Sequence, residues 1–426
     1  MREQCEGLWA HTAGDGPRAP GLTDDVEADV LIIGAGFTGC SAALHLARSG
    51  ASVCLLEART VGYGGSGRNV GLVNAGLWLE PERVEKILGQ RAGGRLNEVL
   101  ASSPARVFAL IDEFGIDCEA TRSGTLHCAH SAGGLANLRE RLRQYRARGW
   151  EVDLLDPKET AQKTGTCLYR ASLWDHRAGT VQPLAYVHGL ACAAVSSGVR
   201  MFEMSPVISV ERRQGRWFAA TPDALVKADA VVVCTNAYPQ ELGRAVRPDY
   251  IPVNYFQMAT APIEGGLADG ILAERQGAWD TMRVMSSFRV DAAKRLIIGA
   301  VGSLDGFGNG THRAWAHRRL DALYPQLAGC DVEYAWSGRI AMTSDHVPRI
   351  VEFGEQAFSV YGYSGRGIGP GTVFGASVAE YLWSGNPEAL PLEPVKTHRE
   401  WLTRLKGFGY ELGATVAHLA GSRGNS

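Results

Sequence analysis

The stretch ADVLIIGAGFTGCSAALHLARSG, residues 28–50, limits what this chain can fold into more than any other. Apolar residues run straight into Gly34, Gly36 and Gly39, and a helical repeat with Ala42, Ala43, Leu46 and Ala47 on one side follows at once. Residues 28–34 read as a buried strand, 38–49 as a helix, and ASVCLLEA at 51–58 as a second buried strand. Neighbouring parallel strands need a helical crossover of this kind, so 28–58 is one compact βαβ unit. The first glycine permits a tight turn, the second lets another group approach the backbone, and the third lets helix pack on strand.

A GxGxxG alone is a weak signal. Here a strand precedes it, a helix follows, and Glu57 closes the next strand, about 20 residues beyond, where a carboxylate grips ribose hydroxyls. The helix N-terminus presents free N–H groups and partial positive charge to a pyrophosphate. The stretch therefore reads as an adenine-dinucleotide site. A second glycine-rich loop, VGYGGSGRNVGLVNAG at 61–76, follows the ribose carboxylate. A simple NAD enzyme has no use for such a loop, whereas the isoalloxazine half of a flavin dinucleotide lies along extended backbone. Ser66, Arg68 and Asn69 are its candidate donors; the competing reading is a flexible surface loop.

The 426 residues suffice for two lobes, and 43 basic against 45 acidic side chains give a net charge of −2. So balanced a chain has no electrostatic reason to seek nucleic acid or anionic membrane. The nine cysteines stand singly, several in apolar runs, which favours a reducing compartment over a disulfide frame or a zinc site; no metal is expected. The first 25 residues lack the apolar core of a signal peptide and no run is long enough to span a bilayer, so a cytoplasmic protein is expected.

Residues 1–27 read as an arm with Trp9 as its anchor. Nucleotide-type segments alternate with others, giving an α/β fold with an α+β second lobe: a Rossmann-like cofactor domain from 28–90, 180–245 and 335–390, and a discontinuous mixed-sheet substrate domain from 91–179 and 246–334. Residues 391–426 form a helical tail. The basic run LRERLRQYRARG, near 138–149, reads as a solvated helix face.

GAGFTG, Glu57 and GGSGRNVG resemble the D-amino-acid-oxidase-type FAD-dependent oxidoreductases, which include glycine and sarcosine oxidases. The resemblance continues through GTVQPLAYVHGLA, ADAVVVCTNAY, SGRIAMTSDHVPRI and YGYSGRGIGPGTVFG, from about residue 25 to 385, in the family's order. Within the family the chain looks most similar to bacterial L-pipecolate oxidases, enzymes of lysine catabolism, and γ-glutamylputrescine oxidases. The resemblance implies FAD, with Phe37, Thr38 and Ala58 joining the glycines and Glu57 around the adenosine half. Gly65 and Gly71 would join Ser66, Arg68 and Asn69 along the flavin half. Val207 would offer backbone to adenine, Thr235 and Asn236 would lie near the cofactor, and Gly338 and Arg339 near the isoalloxazine. Gly365, Arg366, Gly367 and Ile368 would turn beside the flavin pyrimidine ring and open the last helix. A helix N-terminus there stabilises negative charge on reduced flavin by about 0.3–2 kcal/mol.

Residues 331–345 lack the cysteine that tethers flavin in some sarcosine oxidases, so the FAD is expected to be non-covalent. Many relatives carry histidine where this chain has Arg366, and an arginine there is either a bidentate clamp for a substrate carboxylate or a structural ion-pair partner. Tyr255, Arg283, His312, Tyr363 and Arg366 are the candidates to line the substrate cavity, with a surface role for His312 and a packing role for Tyr255 as the competing readings. The implied activity is oxidation of a C–N bond by hydride transfer to flavin N5, with O2 or a quinone as acceptor and no obligatory catalytic side chain. L-Pipecolate is the first substrate expected and γ-glutamylputrescine the alternative. A hydroxy-acid or glycerol-phosphate dehydrogenase, and a non-catalytic flavoprotein, are the other readings.

Overall fold

A computed structural model describes residues 7–239, 246 and 248–420. Cys5 and the first six residues of the arm lie outside the described residues, as do 240–245 of the cofactor domain. Two eight-stranded sheets organise the chain. In the first, the order is Arg349–Gly354, Ala357–Tyr361, Leu225–Val233, Val26–Ile33, Val53–Leu56, Arg200–Phe202, and the hairpin Ser209–Arg213/Arg216–Ala220 joins it at Leu225–Val233. Strand Val26–Ile33 is parallel to both neighbours, with Val30 opposite Val53 and Ala230. Central parallel strands are covered on both faces and must be apolar throughout, which is why VLII, VCLL and VVV are unbroken runs. Val30 and Ile32 face helices Phe37–Arg48, Pro183–Ser196 and Ile368–Ser384, while Leu31 and Ile33 face Trp217 and the hairpin.

The second sheet runs Val332–Met342, Ile251–Thr260, Leu296–Val301, Ser286–Val290, Gly277–Asp280, Thr125–Ala129, Ala171–Asp175, Val152–Leu155. It is antiparallel except where Gly277–Asp280 meets Thr125–Ala129. Its strands alternate. Phe256, Met258, Leu126, Cys128, Ala278 and Phe288 point to a core shared with Trp315, Leu320 and Leu323 of helix Asn309–Leu323. Their immediate neighbours point the other way, toward the first lobe.

Two segments depart from the expected partition. Residues 335–342 pair in the second sheet rather than the first. Helices Gln90–Ala101 and Ser103–Phe114, expected in the substrate lobe, place Leu96, Leu100, Val107 and Phe108 in the core of the first. Both follow from burial: their apolar faces find the nearer uncovered surface whatever their order in the chain. Trp9 holds the described part of the arm. Trp9 is fully buried, edge-on to Trp336, and its indole N–H donates to the Asn69 carbonyl at 2.8 Å. Trp336 does the same to the Arg68 carbonyl, so two indoles pin the second glycine-rich loop.

Helix Thr403–Ala420 closes the back of the second lobe through polar groups. His312 lies within hydrogen-bond distance of His418 Nδ1 (2.7 Å) and Glu411 Oε1 (3.0 Å). His312 is therefore neither a surface residue nor part of the cavity; it is fully buried in this network, a correction to both readings. Among the described residues no helix is long and apolar enough to cross a membrane, and no group of three metal-ligating side chains exists.

Candidate active site

One cavity of about 1040 Å³ runs between the two sheets. Its floor is backbone. Strand Val26–Ile33 ends at Gly34, whose φ of +105° is closed to residues with a side chain, and a Cβ at Gly39 would fall on the Gly34 carbonyl. The chain therefore turns tightly enough to aim helix Phe37–Arg48 into the cavity. Gly34, Gly36, Phe37, Thr38, Glu57 and Ala58 line it, whereas Gly39 serves the packing beneath. Glu57 accepts from the amides of Ala35 (2.8 Å) and Arg59 (3.0 Å), while burial pushes its carboxyl above the usual range. Val207, Thr235 and Asn236 complete this end, and the Thr235 hydroxyl is buried without a protein partner.

The second glycine-rich loop contributes Gly65, Ser66 and Asn69 to the wall. Arg68 does not reach the cavity: it donates to the Tyr63 carbonyl at 2.8 Å and lies over the Tyr63 ring. Gly71 also lies off the wall, packed against Val181 and Arg289. Gly338 sits directly beneath Tyr255 with no room for a Cβ, and Arg339 alone of that pair lines the cavity. Gly365, Gly367 and Ile368 line it where helix Ile368–Ser384 begins. That N-terminus is tied to the other by the 2.7 Å hydrogen bond between Tyr363 and Thr38. Two helix N-termini thus converge on a glycine-walled groove, the donor set a dinucleotide with a pyrophosphate requires. The residues present fit FAD.

The roof is made of side chains, and most were invisible to sequence reasoning. Gln257 pairs with Gly299, Gly299 with Ser287, Ser287 with Trp279, and Trp279 with His127. This is a single transverse row across five strands. Its members face the cavity because their neighbours in sequence face the core, and Gly299, lacking a side chain, leaves room for the Gln257 amide to lie across it. Tyr255, Gln257, Trp279 and His127 line the cavity, and the Tyr255 hydroxyl, the Gln257 carbonyl oxygen and the Trp279 N–H are buried without protein partners. His127 stacks on Trp279 at 4.9 Å, and burial, followed by the charges of Arg141 and Arg366, holds it well below the usual imidazole range.

Arg366 is the principal correction. Its guanidinium is buried outside the cavity wall, donates to the Ala75 carbonyl at 2.7 Å, and lies between the rings of Trp78 (4.9 Å) and Trp279 (5.3 Å). Each indole face contributes about 0.5–2 kcal/mol to a cation so placed. Burial lowers its pKa to about 10, so it stays charged at neutral pH. Of the other substrate candidates, Tyr255 and Tyr363 line the cavity and Arg283 lies exposed at its rim. The basic helix Ala132–Ala147 is not only a solvated face either: Gly133, Gly134, Asn137 and Arg141 form one wall. Their three- and four-residue spacing was the signal available, since it places Gly134, Asn137 and Arg141 on one helix face.

The profile of a family described as "FAD dependent oxidoreductase" (DAO) matches residues 29–381. The γ-glutamylputrescine oxidoreductase of Escherichia coli K12 is 28% identical over 387 residues, 90% of each chain. The probable oxidoreductase OrdL of Haemophilus influenzae is 29% identical over 379 residues, 88% of this chain and 86% of that one. Among solved structures, glycine oxidase from Geobacillus kaustophilus superposes with a TM-score of 0.70 at 21% identity, covering 85% of this chain and 95% of the other. The L-proline dehydrogenase of P. horikoshii gives 0.69 at 19%, covering 85% and 95%. These two likenesses concern the fold.

Proposed function

The chain belongs to the FAD-dependent oxidoreductases of the DAO family, acting on amines or amino acids, and we propose that its substrate is an extended amine with no carboxylate on the reacting carbon. The observation that carries this reading is the position of Arg366. L-Pipecolate carries a carboxylate beside the reacting C–N bond, and the cation expected to hold it is enclosed by two indoles and a backbone carbonyl, while Arg339, over the Tyr238 ring, and Arg283 are exposed at the cavity edge. The roof row presents instead an amide, a hydroxyl, an indole and a neutral imidazole, none of which compensates an anion as a charge-assisted pair does. The 28% identity with γ-glutamylputrescine oxidoreductase along nearly the whole chain supports the same choice.

FAD, when bound, supplies the hydride acceptor for the C–N oxidation. The protein's part is positioning and electrostatics. Trp78 and Trp279 give flat apolar walls along the cavity, and Tyr255 and Gln257 offer the unpartnered polar atoms that orient an amine. The converging helix N-termini place positive potential where negative charge develops. The FAD is non-covalent in this reading, and O2 or a quinone takes the electrons onward.

The test is anaerobic titration of the yellow holoprotein, following the flavin band, with γ-glutamylputrescine, L-pipecolate, L-proline and sarcosine. γ-Glutamylputrescine is expected to bleach the band at the lowest concentration, and admitting air then shows whether oxygen restores it. Bleaching by L-pipecolate at a lower concentration than by the amine overturns the reading.

A further inference from the structure

The cavity is longer than a reacting C–N bond requires. From Gln257 to His127 the row spans four strand spacings, about 19 Å. Past His127 the far end is bounded by the first turn and one face of helix Ala132–Ala147.

That end is built to receive an anion. Arg141 is only 7% exposed. Its Nη2 donates to the Trp78 carbonyl at 2.7 Å and lies 3.0 Å from Glu80 Oε1, and its Nε donates to Asn137 Oδ1 at 3.1 Å. These contacts fix the fork, yet Nη1 is buried with no partner in a residue that lines the cavity. Ser131 accepts from the Gly134 amide, and helical geometry gives the amides of Ala132 and Gly133 no acceptor. A Cβ at Gly133 would meet nothing closer than the Ser131 hydroxyl at 3.9 Å, so the first turn is open. Two carboxylates face this region. Glu80 offsets part of the Arg141 charge, and Asp280 is already engaged by Ser286, the Met282 amide and Arg319. The charge of Arg366, close behind His127, has no carboxylate in hydrogen-bond contact.

We propose that the far end of the cavity is a subsite for the remote carboxylate of an elongated amine, with Arg141 Nη1 and the first-turn amides as donors. This rests on the amine reading above. It goes further by assigning the end opposite the chemistry: a substrate with an amine at one end and an anion several bonds away spans the roof, each end fixed by a different lobe element.

The test compares two amines on the holoprotein, γ-glutamylputrescine and N-(4-aminobutanoyl)putrescine, which keeps the acyl link and the far ammonium and lacks only the carboxylate. The analogue without the carboxylate is expected to need a concentration roughly 10- to 100-fold higher for half-maximal flavin reduction, with little change in the limiting rate. Arg141→Gln is expected to remove that difference and Arg141→Lys to restore part of it. Because Arg141 also ties down Trp78, a second variant leaves it in place: Gly133→Asp puts a carboxylate in the open first turn. It is expected to weaken γ-glutamylputrescine several-fold more than it weakens N-(4-aminobutanoyl)putrescine. Equal concentration dependence of the two amines in the wild-type protein, or discrimination that survives both Arg141→Gln and Gly133→Asp, overturns the subsite and leaves the amine reading standing. Reduction by neither amine overturns the amine reading and the subsite with it.

Discussion

The floor and roof of the cavity are built on opposite plans. The floor is backbone: glycines, amides and two helix N-termini, contributed by segments that are contiguous in sequence around Gly34–Gly39, Gly62–Asn69 and Gly365–Ile368. The roof is side chains, one from each of several strands, and these come together only because of register. A backbone site holds its ligand through amides, which side-chain substitution leaves in place. A side-chain roof can be rewritten residue by residue without touching the floor, so cofactor and substrate specificity are separable in this architecture.

The most severe way to break that separation is from below. Gly39→Val places a side chain on the Gly34 carbonyl and within 3.3 Å of Ile32, forcing the first helix off the strand. The purified variant is expected to carry little or no FAD, read from the flavin absorbance per chain; full occupancy would mean that the turn does not set the floor. Above the cavity, Trp279→Ala removes the plate between Arg366 and His127. It is expected to keep its FAD while flavin reduction slows roughly a hundredfold, the cost of a misplaced substrate. Loss of FAD in this variant would show that the roof also shapes the floor.

The smallest effect sharpens the contrast through pH. His418, on the helix that backs the roof, is held far below its ordinary 6.5, at about 3, first by burial and then by the charges of His312 and Arg318. The unfolded chain binds this proton more readily than the folded one. The contribution to stability is therefore complete above about 6.5 and lost as pH falls toward 3. Acidification from about pH 7 to about pH 5 is expected to lower the melting temperature, and His418→Asn to reduce that slope by a few degrees. Limited proteolysis at the lower pH is expected to cut the second lobe before the first. Equal acid sensitivity of wild type and variant would remove His418 from the account.

The fold was legible from residue 28 onward because its signals are local. An unbroken apolar run, three glycines and a helical repeat specify strand, turn and helix within one short stretch, and Glu57 and the 61–76 loop extend the same logic to a flavin dinucleotide. The boundary between lobes was less so, since the apolar faces of Gln90–Ala101 and Ser103–Phe114 fit either core and only packing chose. Arg366 marks the limit of the sequence: its position in the chain places it beside the flavin turn, but the rotamer that sends its guanidinium between Trp78 and Trp279 depends on residues some 290 and 90 positions away. His127, Gln257 and Trp279 left no mark that separates them from core or surface residues, because a strand's alternation says that two faces differ and not which one meets a cavity. Sequence by itself determined the cofactor, the parallel sheet and the chemistry of the floor. The tertiary structure decided which side chains meet the substrate, because strand register between distant segments is a sum of many weak pairings that no short stretch contains.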